Sequence, residues 1–286
     1  MKIRKAIITV AGFGTRFLPV TKAQPKAMLP LVDKPIVQYL VEEAVQAGIE
    51  QIIFVTGKGK RAIEDHFDSH FELEYLLEQK GKEEALAQVR GISDMAEFFF
   101  VRQSYARGNG DAVLATRSFI GDEPCAVLFE DDIVDSEVPG IQQLIDIYNK
   151  YQDPVIALTQ VPHAEVSKYG IVEGVQIGDR LLEINKFVEK PNPEDTTSNL
   201  AVIGKYIITP EVFDQLELLK NSVKGELGLD NAFIEVLKTK PLYGYELEGK
   251  RYDCGDKFGY IQAMIDFSLK HPEIGDKVRK HLDHIL

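Results

Sequence analysis

Cysteine is scarce: Cys125 and Cys254 are the two in 286 residues, and neither belongs to a C-x-x-C pair. Two isolated thiols make no disulfide framework and fit a reducing compartment, so a cytoplasmic location is expected. The chain has no apolar run near the roughly 18 residues that a membrane helix needs, so no membrane span is expected. Positive charge is also short. Lys and Arg number 33 against 45 Asp and Glu, a formal net charge of −12. Such a field repels long polyanions, so nucleic acid is not an expected partner, although a local basic pocket could still hold a small phosphate. No Pro/Ser/Gly-rich linker divides the chain, and it contains no internal repeat. The apolar stretch Ala6 to Ala11 behind Lys2, Arg4 and Lys5 is too short for a secretory signal. Gly12, Gly14 and Arg16 then interrupt it, so it reads as mature protein.

What remains is an ordinary globular composition, 44% hydrophobic and 27% charged. A chain of this length buries roughly three quarters of its unfolded surface and needs no disulfide or metal staple. Short β-branched runs read as buried strands at Lys5–Val10, Gln51–Thr56, Phe98–Arg102, Ala126–Phe129 and Val155–Thr159. Helical spacing separates them at Pro35–Ala47, Arg61–Phe67, Asp111–Phe119 and Ile141–Tyr151, with a charged helical insertion on the periphery at Phe71–Gly91. Strands alternating with helices predict an α/β fold with a mostly parallel sheet covered on both faces. Beyond about residue 165 the alternation loosens. Ile171–Val175, Leu181–Glu189 and Ala201–Thr209 read as strands; Pro210–Leu218, Asn231–Leu237 and Gly259–Lys270 read as helices. The tail Ile274–Leu286 spaces Ile274, Val278, Leu282 and Ile285 on one helical stripe. We divide the chain into a domain over 1–272 and a helical tail over 273–286.

Four motifs carry chemistry. The first strand runs into Ala11-Gly12-Phe13-Gly14-Thr15-Arg16. Glycines at the carboxyl end of a strand let backbone N–H groups approach a phosphate. The run is neither G-x-G-x-x-G nor a Walker loop. Arg16, Lys22 and Lys26 follow closely and point to triphosphate binding, with a solvated turn as the plain alternative. Glu130-Asp131-Asp132 follows another strand, and carboxylates there suit Mg²⁺ or, equally, an acidic turn. Glu189-Lys190-Pro191 and Tyr252-Asp253-Cys254-Gly255 complete the set. By themselves these read as a surface ion pair and a turn.

Together the motifs resemble a family. Ala11–Arg16, Thr21-Lys22-Ala23, Pro25-Lys26, Met28-Leu29-Pro30, Val32-Asp33-Lys34-Pro35, His66-Phe67-Asp68, Arg102-Gln103, Glu189-Lys190-Pro191, Asn199-Leu200-Ala201-Val202 and Asp253-Cys254-Gly255 are similar, in order, to the sugar-1-phosphate nucleotidyltransferases. Within that family the match is to members using UTP and glucose 1-phosphate, and it runs from about Lys5 to Lys270. The resemblance implies a Rossmann-like fold with a mixed, mostly parallel central sheet flanked by helices. It implies Mg-assisted in-line attack of glucose 1-phosphate on the α-phosphorus of UTP, giving UDP-glucose and pyrophosphate. It also implies roles. Ala11 and Gly12 meet the nucleotide through their backbone, and Arg16 holds the leaving pyrophosphate. Lys26 neutralises charge at the reacting centre. Gln103 reads the uracil edge beside Gly108. Asp131 and Asp253 hold Mg²⁺. Glu189 binds sugar hydroxyls, Lys190 the sugar phosphate, and Gly170 and Asn199 line the sugar pocket. The family is commonly oligomeric, so a homodimer or homotetramer is expected, with the C-terminal stripe taking part or folding back on its own domain.

The chain departs from the family pattern at several places. Ala27 stands where Glu usually follows Pro-Lys, and Glu130 where Gly or Pro commonly precedes the metal Asp. The Gly-x-Gly-His-Ala stretch reads Gly108-Asn109-Gly110-Asp111-Ala112, and Gly-Glu-[Ile/Leu]-Gln-Leu-Thr-Asp-Ala reads Gly225-Glu226-Leu227-Gly228-Leu229-Asp230-Asn231-Ala232. Two alternatives therefore stand beside the first reading: the same chemistry on another sugar 1-phosphate or nucleotide, or a catalytically silent sugar-nucleotide-binding regulatory protein. Retention of Arg16, Lys26, Asp131, Lys190 and Asp253 favours an active enzyme.

Overall fold

The computed structural model describes residues 2–285. Its strands are β1 (Lys5–Thr9), β2 (Pro30–Leu31), β3 (Lys34–Pro35), β4 (Gln51–Thr56), β5 (Glu97–Arg102), β6 (Cys125–Phe129), β7 (Asp132–Asp135), β8 (Val155–Gln160), β9 (Gly170–Gly178), β10 (Leu181–Glu189), β11 (Leu200–Ile208), β12 (Tyr243–Glu246) and β13 (Lys250–Asp253). The helices are α1 (Ile36–Gln46), α2 (Arg61–Phe67), α3 (Phe71–Gln79), α4 (Glu83–Ser93), α5 (Asn109–Leu114), α6 (Arg117–Ile120), α7 (Gly140–Tyr151), α8 (Pro210–Leu219), α9 (Leu229–Val236), α10 (Lys257–Lys270) and α11 (Gly275–Ile285). No helix among the described residues is long and apolar enough to cross a membrane.

Nine strands form one sheet in the order β5-β4-β1-β6-β11-β8-β12-β10-β9. The first four run parallel, with Ile7 opposite Ile53 and Val127. β11 then turns the sheet antiparallel against both β6 and β8, and β10 pairs antiparallel with β12 and β9. The sheet is mixed: its N-terminal strands are all parallel, and the C-terminal half is antiparallel except for the parallel pair β8–β12. Side-chain alternation along each strand splits the core in two. Ala6, Ile8, Phe54 and Leu128 face α1, α7 and α10; Ile7, Ile53, Val55 and Val127 face α5, α8 and α9. Strands buried on both faces explain the unbroken apolar runs in the sequence.

Helix periodicity marked the right regions but merged neighbours. Phe71–Gly91 is two helices, α3 and α4, parted at Gly81, whose φ of 63° ends the first. It lies at the periphery: α3 buries none of its residues. Asp111–Phe119 is likewise two helices, α5 and α6, because the buried Thr116 hydroxyl bonds back to the Val113 carbonyl at 2.7 Å and stops the first. The four-residue strands β7, β12 and β13 escaped the sequence reading, being short and carrying charge. The tail forms α11, which packs on α10. Ile274, Val278 and Leu282 are half-buried and Ile285 is exposed; Leu286 lies outside the described residues.

One buried ion pair ties layers together. Lys205 on β11 is fully buried, with its Nζ 2.7 Å from Glu43 Oε2 on α1. Glu43 Oε1 accepts the backbone N–H of Ile141 at 2.9 Å, at the start of α7.

Candidate active site

β1, β4 and β6 are parallel neighbours, so the loops at their carboxyl ends share one edge of the sheet. The loop after β1 is the Gly-rich run. Gly14 sits at φ 62°, and a Cβ there would lie 3.1 Å from Lys26 Cβ and from the Thr21 side chain, so only glycine lets Lys26 pass beneath. Lys60, from the loop after β4, donates to the Gly12 carbonyl from below. Glu130, after β6, lies under Gly12, where an added Cβ would be 3.1 Å from its Oε1.

Lys26 is buried and joins these pieces. Its Nζ is 2.7 Å from Asp131 Oδ2 and 3.4 Å from Glu130 Oε1. Burial opposes its charge, but the Glu130 and Asp131 carboxylates outweigh that, and its pKa is raised. Burial pushes the Lys60 ammonium down, against the attraction of Glu130. Burial likewise pushes the Glu130 carboxyl up, against the attraction of Lys26. Glu130 Oε2 is buried with no hydrogen-bond partner among the described residues. Lys60 was missed by sequence reasoning; the signal was there, a Gly57-Lys58-Gly59-Lys60 run after a strand at the same sheet edge.

The ribbon of β7 and β13 brings the acidic residues together. Asp132 pairs with Asp253 in register, and the Cys254 N–H donates to the Asp131 carbonyl at 2.7 Å. Asp132 points inward. Its Oδ2 accepts the Gly204 N–H at 2.8 Å, and its Oδ1 accepts from Arg251 Nε. Asp131 and Asp253 instead converge over Gly255. A Cβ on that glycine would lie 2.4 Å from Asp131 Oδ2 and 3.0 Å from Asp253 Oδ1. Burial first, then the Asp132 charge, raises the Asp253 pKa. Two crowded carboxylates around a gap that a single methyl would fill fit a hard divalent cation that takes its remaining ligands from water and phosphate. Among the described residues no three His, Cys, Asp or Glu form a complete metal cluster, so protein alone would not saturate such an ion. Arg251, also missed, is nearly buried between Asp132 and Asp253, with its guanidinium 5.5 Å from the Tyr169 ring centroid. Sequence alone does not tell this buried Arg from its exposed neighbour Lys250.

A cavity of about 1080 Å³ opens beside these groups, and Arg16, Asp131, Glu189, Lys190, Arg251 and Asp253 line it. Arg16 is exposed and reaches the Gly255 carbonyl at 3.4 Å. Glu189 and Lys190 form an ion pair of 3.0 Å at the end of β10, with Lys190 at φ 48° and its N–H on the Tyr169 carbonyl at 3.0 Å. A left-handed lysine is costly, and here it follows the turn that ends the strand. Gly170 is paired with Glu189 across β9 and β10; a Cβ would sit 2.9 Å from Glu189 Oε2, so glycine leaves that carboxylate room. Asp230 also lines the cavity, and burial followed by the Glu189 charge raises its pKa. Asn199 does not line it. It borders a separate cavity of about 230 Å³, and its amide donates to the Val161 carbonyl at 3.3 Å, bracing the cleft wall from behind.

Gln103 follows β5 and lines a third cavity of about 240 Å³ with Arg102, Tyr105 and Asp111. Gly108, at φ 105°, lies beside it: its carbonyl accepts from Gln103 Nε2 at 3.2 Å. The two stretches that depart from the family pattern dock on each other. The Gly110 N–H donates to the Leu227 carbonyl at 2.9 Å, the Leu227 N–H to Arg107 at 2.7 Å, and the Leu229 N–H to Asn109 Oδ1 at 2.8 Å. A Cβ on Gly108 would lie 2.3 Å from the Leu227 carbonyl oxygen, and one on Gly110 would lie 2.8 Å from the Gly228 backbone.

The family described as nucleotidyl transferase matches residues 5–268. The UTP–glucose-1-phosphate uridylyltransferase of Staphylococcus haemolyticus is 48% identical over 284 residues, 99% of each chain. Among solved structures, the UTP-bound UGPase from Acinetobacter baumannii superposes with a TM-score of 0.91 at 38% identity, covering 98% of both chains. A UDP-glucose pyrophosphorylase complexed with UDP-glucose matches with a TM-score of 0.85 at 43% identity, covering 94% of this chain and all of that one.

Proposed function

The chain belongs to the nucleotidyl transferase family, and we propose that within it the protein transfers uridylyl from UTP to glucose 1-phosphate, giving UDP-glucose and pyrophosphate. The observation that carries this reading is the meeting of the Gly-rich loop, Lys26, Asp131 and Asp253 at one edge of a cleft large enough for both substrates. The near-full-length relatives named for this reaction support it.

In the reaction a sugar-phosphate oxygen forms a bond to the α-phosphorus. The bond from that phosphorus to the bridging oxygen breaks, and its electron pair leaves with pyrophosphate. The nucleophile is already an anion, so no general base is required, and catalysis reduces to holding two like-charged phosphates in line. Three cations serve that purpose. Arg16, exposed at the loop, takes the departing pyrophosphate. Lys26, whose charge Glu130 and Asp131 secure, faces the reacting phosphates. Lys190 takes the sugar phosphate, and its partner Glu189 accepts from sugar hydroxyls. Ala11 and Gly12 offer backbone contacts to the nucleotide, and Gln103 with Gly108 reads the base. Asp131 and Asp253 would hold Mg²⁺, which supplies charge neutralisation on the phosphate oxygens when bound.

We read the protein as cytoplasmic from its two unpaired cysteines. We read it as a homodimer or homotetramer from the family resemblance and from the apolar stripe of α11, whose Ile285 is exposed; light scattering with and without residues 273–286 checks it. The deciding assay is Mg²⁺-dependent pyrophosphate release over a panel of nucleoside triphosphates and sugar 1-phosphates. UTP with glucose 1-phosphate should give the highest kcat/KM. A preference for another sugar would move the assignment to Asp230 and Glu189, and binding without release would make the protein a silent sensor.

A further inference from the structure

We propose that Asp111 is a positioning residue for nucleobase selection: its carboxylate turns the Gln103 carboxamide so that the oxygen faces the base. The inference rests on the reading of Gln103 as the base-reading residue. Gln103 is fixed at its backbone, where its N–H donates to the Thr56 carbonyl at 2.8 Å. Its side-chain nitrogen has two partners, Asp111 Oδ2 at 2.8 Å and the Gly108 carbonyl at 3.2 Å. A carbonyl and an ionised carboxylate are acceptors only. Turning the amide over would set Oε1 against two acceptors and forfeit two hydrogen bonds, so the network decides which end faces outward. Oε1 is thus the end left for a ligand; it has no partner among the described residues. Asp111 is itself anchored, in the first turn of α5, with its N–H toward the Leu227 carbonyl at 3.4 Å.

An outward acceptor suits a base that offers a ring N–H. Uracil carries a hydrogen on N3. Where Oε1 meets ring position 3, cytosine carries a lone pair that would face those of Oε1, and its only donor on that edge is the exocyclic amino group beside it. A histidine at this position, as the family resemblance expects, could donate or accept according to its tautomer and would not force the choice. An aspartate does. The departure at 111 therefore narrows the base requirement.

The test compares UTP with CTP in pyrophosphate release with glucose 1-phosphate, using the full chain and the variants Gln103→Ala, Asp111→Asn and the double variant. Asparagine offers both a donor and an acceptor, so the stronger of the two constraints on the Gln103 amide is lost and only the Gly108 carbonyl still demands its nitrogen. The ratio of kcat/KM for UTP to that for CTP should fall about tenfold in Asp111→Asn, the worth of about one net hydrogen bond. The KM for glucose 1-phosphate should not move. The double variant should lose no more discrimination than Gln103→Ala alone. If Asp111→Asn misfolds by thermal melt, Asp111→Ser carries the same expectation. An unchanged ratio in the folded Asp111 variant, or an equal loss with both nucleotides, overturns the role of Asp111 while Gln103→Ala still collapses the ratio. If Gln103→Ala leaves the ratio intact, the base-reading assignment itself is wrong and the inference falls with it.

Discussion

Two lysines lie buried against carboxylates in this molecule, and they are built to opposite ends. Lys205 meets Glu43, and both oxygens of that carboxylate are engaged, one by the ammonium and one by the Ile141 N–H. Lys26 meets Glu130 and Asp131, with Lys60 close by, and Glu130 Oε2 is left without a partner among the described residues. The first set is closed. It pins α1 and α7 to β11, and each oxygen of its carboxylate has a partner. The second is open, at the carboxyl ends of parallel strands, beneath a glycine loop. Unsatisfied charge is a stability cost in a core. In the open cluster the ammonium groups of Lys26 and Lys60 can donate to an incoming anion, while the unpartnered Glu130 oxygen can only accept from a donor or a cation.

That contrast can be broken most forcefully at Lys205. Lys205→Met leaves Glu43 charged and buried, and should destabilise the fold by about 3–5 kcal/mol in denaturant melts. Adding Glu43→Gln should restore much of the loss, and turnover per folded molecule should stay near the unsubstituted value. Lys26→Ala should do the reverse. Turnover should fall ~10²–10³-fold, as when one electrostatic stabiliser of a transition state is removed, while the melting temperature changes little. A Lys26→Ala protein that unfolds as readily as Lys205→Met would erase the distinction.

A smaller effect comes from Lys190→Ala. It leaves both clusters intact and should raise the KM for glucose 1-phosphate about tenfold or more, the expected loss of one charge-assisted hydrogen bond, with the KM for UTP little altered.

The smallest effect comes from His66, a half-buried group outside both clusters, whose Nε2 lies 3.0 Å from Gln38 Oε1. Burial lowers its pKa below the ordinary 6.5. Its contribution to stability is therefore full above pH 6.5 and is lost as the pH falls through the lower folded value. His66→Gln should flatten the slope of stability between pH 7 and 5, and an unchanged slope would assign it elsewhere.

Much of this was legible in the residues. Strands buried on both faces read as unbroken apolar runs, and β1, β4 and β6 were found that way. The Gly loop and the Glu130–Asp132 run stood out because turn chemistry and charge coincide at strand ends, whereas Lys190 and Asp253 read by themselves as a surface ion pair and a turn and were singled out by the family resemblance. Other features were hidden for physical reasons. β7 and β13 are four residues each, and their charged positions are satisfied across the ribbon by partners about 120 residues away, as with Asp132 and Arg251. The antiparallel pairings of β11 with β6 and β8 depend on its long-range path, which no local pattern encodes. Asn199 lies next to β11 and near the cleft in sequence logic, but it spends its amide on the Val161 carbonyl. Glu130 showed as a departure from the family pattern; that its neighbour Lys60 lies beneath the same loop is a fact of three dimensions.

The docking of Gly108–Ala112 on Leu227–Leu229 has an evolutionary reach. One stretch borders the cavity at Gln103 and the other leads into Asp230 in the large cleft, and Gly108 and Gly110 leave room for the backbone of Leu227 and Gly228. The two therefore form a single heritable unit. A side chain at Gly108 or Gly110 would collide with the backbone of the other stretch, so a change of path in either stretch must be met by the other, and a segment swap between relatives should fold best when both halves travel.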